Sequence, residues 1–208
     1  MSTIVHAPTK TPRQAAADAK TVAESGSDTD WGQIVKDFTP VLAAVSAIIK
    51  AIIDDKNSVA VQGFRQLITT DAWKSISELV TSSLGIKTIG VIGGGEGSFI
   101  VGGKGMYGLL TGTDDTSHVY YYESEGVSIG AQEGGVAAVG LYLHDEDPKD
   151  DWCVEIFSAV SGAVIAGVAI EGFTTVSTGS GFVVLVTTGE ELEASFGASY
   201  STWSAVDE

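Results

Sequence analysis

The chain has 208 residues, enough for one sizeable core and one or two domains, with 26 glycines and a formal net charge of −16. Residues 1–87 carry nine acidic and nine basic side chains, whereas residues 88–208 carry eighteen acidic and two basic ones, Lys104 and Lys149. A surface so acidic repels phosphate backbones and anionic headgroups, which argues against nucleic acid as a partner and favours solubility, a salt-rich milieu or a cationic partner.

Residues 1–30 are rich in Ala, Thr, Ser and Pro with little apolar periodicity, and read as a flexible tail with at most a helical turn in Gln14–Glu24. The start, MSTIVHAPTKTPRQ, lacks the continuous apolar core of a signal peptide, so the expected location is the cytoplasm, or outside after export that reads no such peptide.

Residues 31–85 read as helical. After Thr39-Pro40, which places proline where its missing N–H does no harm, VLAAVSAIIKAIIDDK presents Val41, Leu42, Val45, Ile48, Ile49, Ile52 and Ile53 at three-four spacing on a broad apolar face. The run is too short for a bilayer core of about 30 Å and contains Lys50, so the face either packs beneath a sheet or contacts an apolar ligand or membrane surface. A second helical region, 58–84, breaks at Thr69-Thr70-Asp71, where Thr70 or Asp71 can cap DAWKSISELVTSSL, and Gly85 ends it.

From residue 86 the period changes. Gly85 to Gly112 carries glycine among Ile, Val, Phe and Leu at intervals no helix tolerates, at about 1 kcal/mol each relative to alanine, and reads as the opening strands of an antiparallel sheet. Short apolar runs follow at 119–122, 126–132, 136–144, 152–160, 163–173, 182–188 and 195–203, spaced as in a meander, barrel or sandwich. The fold class is α+β: N-terminal helices packed on or plugging a glycine-rich antiparallel sheet or barrel, with residues 86–208 and the helices forming one unit.

Chemical motifs are few. GGGEG at 93–97 and GGKG at 102–105 lack the lead and the Ser or Thr of a phosphate loop, and strand bulges explain them. Asp145 to Asp151 clusters carboxylates without the glycine and terminal Glu of an EF-hand loop, so a solvated turn with weak calcium association is expected, and no metal site is assigned. His6, His118 and His144 show no zinc spacing, and the lone cysteine, Cys153, lies in the apolar run WCVEIF as a small core residue. No nucleophile or acid–base pair stands out, so no enzyme and no cofactor is expected.

The succession IKTIGVIGGGEGSFIVGGKGMYGLL, SHVYYYESEGVSIGAQ, VAAVGLYL and VEIFSAVSGAVIAGVAIEGF resembles the SYLF domain family over residues 75–173. Gly102, Gly103, Gly105 and Gly108 match its GG-x-G-x-G signature, and Gly126, Ser128, Gly130, Ala131 and Gln132 its G-S-x-G-x-Q-x-G-A-Q-like segment. Gly162, Ala166, Gly167, Glu171 and Gly172 match its G-L-x-A-G-x-x-x-E-G segment. The resemblance implies a non-enzymatic, lipid-binding module, sometimes linked to membranes and actin. The expected function is therefore a non-catalytic module that binds a lipid, another apolar ligand or a membrane surface through Val41–Ile53. The alternative is a structural or host-interaction protein that meets a protein partner through its acidic β surface.

Overall fold

The computed structural model describes residues 10–26, 29–94, 104–129, 139–159, 168–175, 179–186 and 196–206. Helices α1 (Pro12–Ser25), α2 (Trp31–Phe38), α3 (Leu42–Ile53), α4 (Asn57–Leu67) and α5 (Asp71–Leu84) precede eight strands, and a 3₁₀ turn at Thr39–Val41 leads into α3. The strands are β1 (Thr88–Gly94), β2 (Lys104–Gly112), β3 (Tyr120–Ile129), β4 (Val139–His144), β5 (Asp151–Ala159), β6 (Val168–Thr175), β7 (Ser180–Val186) and β8 (Phe196–Ala205).

Helix ends follow their local chemistry. The Thr70 hydroxyl accepts from the Trp73 backbone N–H at 3.3 Å to start α5, and Gly85 closes it in the left-handed region at φ 67°. The segment expected to be a loose tail departs from that reading, because Thr11 and Gln14 form a reciprocal capping box and α1 follows for fourteen residues. Ala15, Ala19 and Ala23 recur every four residues and are all buried, a stripe so small that an apolar-periodicity reading passes over it.

The sheet is a closed antiparallel barrel in the order β1-β2-β3-β8-β5-β6-β7-β4, which resolves the choice among meander, barrel and sandwich. Eight strands leave an interior narrow enough for side chains to fill, and the described strands place large residues opposite glycines across it. Gly108 faces Ile92 and Tyr122 across its two ladders, Gly140 faces Ile92 and Leu185, and Gly181 faces Phe173 and His144. A Cβ at Gly140 would collide with the Val184 carbonyl oxygen, and one at Gly108 with that of Val91. The lumen cluster of Ile92, Met106, Leu110, Tyr122, Tyr142, Phe173, Val183, Leu185 and Trp203 contains barrel residues alone, so no described helix enters it.

Outward-facing residues of the same strands, among them Ile89, Val91, Leu109, Leu141, Phe182 and Val184, share a second cluster with Trp31, Ile34, Phe38, Val45 and Ile48. Trp31 meets Phe182 edge-on with ring centroids 5.1 Å apart, and Gly172 lets the α1 backbone close in, since a Cβ there would lie 2.7 Å from the Ala23 nitrogen. The sector at β3 and β8 differs: Glu123, Glu125 and Tyr200 point outward and are exposed.

Two runs expected as separate strands, 119–122 and 126–132, form the single strand β3 up to Ile129. Glu123, Ser124 and Glu125 do not break it, because they alternate: the two acids face solvent, and Ser124 is buried. Of the positions that carry the SYLF resemblance, Gly102, Gly103, Gly130, Ala131, Gln132, Gly162, Ala166 and Gly167 lie outside the described residues.

Candidate functional site

Inward positions of β3, β4, β5, β6 and β8 bring the polar and aromatic residues of the lumen together at one end of the barrel. Glu155, fully buried, is the centre. Its Oε1 accepts from the Tyr142 hydroxyl at 2.6 Å, and its Oε2 from the hydroxyls of Tyr122 at 2.9 Å, Ser201 at 2.6 Å and Ser199 at 3.3 Å. Four hydroxyls thus stand where water would, the arrangement that a buried carboxyl group requires. No cationic side chain pairs with it among the described residues. Burial first, and Glu155 second, hold the phenols of Tyr122 and Tyr142 well above the ordinary tyrosine range.

Towards the barrel end, the next inward residues are His144 on β4, Cys153 on β5, Thr175 on β6 and Trp203 on β8. With Glu146 and Lys149 of the β4–β5 loop and Asp151 at the start of β5 they line a small, partly open pocket with a volume of about 20 Å³. His144 stacks on Phe173 with centroids 5.7 Å apart and meets Trp203 edge-on at 5.0 Å. Its Nδ1 accepts the Glu146 backbone N–H at 3.2 Å, which assigns the ring proton to Nε2. Burial lowers its basicity, against the pull of Asp145, Glu155 and Glu146.

Two N–H donors here are buried without a partner among the described residues: His144 Nε2 and Trp203 Nε1, on residues 2% and 5% exposed. Gly179, at φ 81°, packs its backbone closely against His144, since a Cβ there would sit 2.6 Å from Nε2. Buried donors normally find acceptors, so this pair departs from that rule. The rim carries the opposite character: Lys149 lies 3.6 Å from Glu146 and 3.5 Å from Asp151, an exposed cation already shared between two acids.

Cys153, partly buried, has its thiol pushed far above the range in which thiolate forms, by burial and then by Glu155 and Asp151. In the acidic run, Asp145 binds the backbone N–H and the hydroxyl of Ser180, both at 2.7 Å. Among the described residues no group of three or more His, Cys, Asp or Glu is placed to hold a metal ion.

The residues singled out on the helical face lie elsewhere. Val41, Val45, Ile48 and Ile49 are buried in the cluster between helices and barrel, Leu42 and Ile52 are partly buried against it, and Ile53 is 50% exposed. No described helix is long and apolar enough to cross a membrane.

Sequence reading missed Glu155, Tyr122, Tyr142 and Trp203. A signal for Glu155 was present: in WCVEIF both alternating faces are apolar, so a glutamate there has no solvent side to take. The pairing of His144 with Trp203 arises only from barrel closure and carries no local signature. Comparisons of the chain with family models, with curated proteins and with solved structures find no match.

Proposed function

We propose that this protein is a non-catalytic binding module whose ligand site is the pocket at the His144–Trp203 end of the barrel. The observation that carries the reading is a pair of buried donors without a partner among the described residues, His144 Nε2–H and Trp203 Nε1–H, on two residues that line one pocket. Desolvated donors of this kind each cost about 1–3 kcal/mol, a cost that a bound acceptor removes. Support for binding over chemistry comes from the states of the reactive groups. The Cys153 thiol is far from thiolate, and the Glu155 oxygens are taken up by four hydroxyls.

In this reading the ligand is small and polar, because among the described residues bulky side chains pack in the lumen opposite glycines. A membrane surface, the contact that the SYLF resemblance implies, would meet Ile53 and Val59, 50% and 57% exposed on α3 and α4. The test is a small-molecule screen followed by nitrogen-15 NMR of the whole chain. Ligands that move the Trp203 indole resonance, with those of His144 and Thr175, support the reading. A broad library that moves none of the three, or binding only to liposomes, overturns it.

A second reading has its own observation. On the outer face of β3 and β8, Tyr200 is 49% exposed and stacks on Trp152 at 5.5 Å, beside exposed Glu123 and Glu125, a surface that suits a cationic protein partner. Its binding would weaken as salt rises and the Debye length shrinks from about 10 Å at 0.1 M to about 3 Å at 1 M. A pull-down yield indifferent to salt would count against it.

A further inference from the structure

The chemistry of the pocket narrows what it takes, and the narrowing rests on the reading that this pocket is the ligand site. Its floor offers donors: His144 Nε2–H, fixed as the protonated nitrogen because Nδ1 accepts from Glu146, and Trp203 Nε1–H. Its rim carries the carboxyl groups of Glu146 and Asp151, with Lys149 lying between them. We infer that the pocket binds a small uncharged carboxamide, its carbonyl oxygen on the two ring N–H donors and its amide N–H groups towards the rim carboxylates.

Charge decides against the two obvious competitors. A carboxylate would satisfy the floor donors but would enter a site ringed by Glu146, Asp151, Asp145 and, deeper in the lumen, Glu155, with a single cation nearby that two acids already share. A cation would suit the rim but bring no acceptor to the floor, leaving both donors as unsatisfied as before. A primary amide carries an acceptor and donors on adjacent atoms without net charge, and so meets both layers at once. The pocket, open at the mouth and narrow within, suits a group of few heavy atoms.

Acetamide, acetate and acetamidinium share one shape and differ in charge, so titrating each into the nitrogen-15-labelled full chain tests the assignment. Acetamide is expected to saturate with a Kd on the order of millimolar, given its four heavy atoms. The Trp203 indole proton should move downfield as it gains an acceptor, and the His144 Nε2 resonance should move with it. Trp203→Phe keeps a ring and deletes the donor, and should weaken acetamide about tenfold, the worth of one such hydrogen bond. If that variant does not fold, the His144 Nε2 shift in the unaltered chain carries the test alone. Saturable binding of acetate or acetamidinium in place of acetamide overturns the carboxamide assignment and leaves the pocket as a binding site. Failure of all three to move either resonance overturns the assignment and the pocket reading together.

Discussion

Tyr142 on β4 donates its hydroxyl to Glu155 on β5 at 2.6 Å, although the two strands are not neighbours: β6 and β7 lie between them around the barrel. The bond crosses the lumen, so it ties two walls that no ladder joins directly. Tyr142→Phe removes the one donor to Oε1 among the described residues and should destabilise the protein by about 1–3 kcal/mol, the cost of leaving a buried polar group without its partner. Tyr122→Phe should cost less, because Oε2 keeps Ser201 and Ser199. Urea midpoints of the two variants check this, and equal losses would show that Oε1 and Oε2 are not distinct.

Alkali should unfold the barrel early. The folded phenols of Tyr122 and Tyr142 and the thiol of Cys153 keep their protons above the ordinary values of 10.0 and 9.0. Above those values the unfolded chain has lost protons that the folded chain retains, so stability falls as pH rises. Each group adds up to about 1.4 kcal/mol per pH unit, starting near pH 9 with the thiol. Urea melts from pH 8 to 11 should show this slope, reduced in Tyr142→Phe by one group's share. A flat profile would mean that these groups ionise freely in the fold.

Acid should act through His144. Its folded value lies below the ordinary 6.5, so below that pH the unfolded chain binds a proton that the folded chain refuses, and stability drops by up to about 1.4 kcal/mol per unit. Between pH 6.5 and 5 the effect should vanish in His144→Asn. An imidazole that titrates at its ordinary value by NMR would contradict it.

How closely α1 approaches the barrel depends on its alanines. Ala19 is fully buried, and Ala23 lies against Gly172. Ala19→Leu should overpack this seam and cost about 1–3 kcal/mol, while Ala17→Leu on the exposed face should change little. Thermal melts of the pair decide it, and equal effects would mean that α1 does not bear on the barrel there.

These residues also mark where sequence patterns stop being legible. The α5 boundaries were readable because Thr70 and Gly85 act locally, through one hydroxyl and one backbone angle. The strand positions were readable because glycine among β-branched residues excludes helix. The α1 stripe was not, since alanine adds little to an apolar count yet is the residue that lets a helix lie close to a sheet. The α3 face does not by itself distinguish packing from contact, because an apolar stripe looks the same whether a barrel wall or a ligand covers it. The polar lumen was least legible of all: Tyr122, Tyr142, Glu155 and Ser201 meet only after eight strands close, and nothing local distinguishes an inward tyrosine from an outward one.

Calcium should bind the β4–β5 loop only weakly. Carboxylates crowded along Asp145–Asp151 repel one another when ionised, and a divalent ion could relieve that by drawing several oxygens to about 2.3–2.6 Å. The loop has already found other relief. Both Asp145 oxygens are held by Ser180, one by its N–H and one by its hydroxyl, while Lys149 stands between Glu146 and Asp151. Asp147 points elsewhere, 3.8 Å from Lys87 and largely exposed. Gathering these oxygens around one ion would break the Ser180 contacts that join the loop to the start of β7, so calorimetry should give association no tighter than about millimolar, the range of the weakest protein calcium sites. A micromolar one-to-one isotherm, lost when Asp145 and Asp147 are replaced by Asn, would show that the loop rearranges around the ion and that the Ser180 contacts are the weaker claim on Asp145.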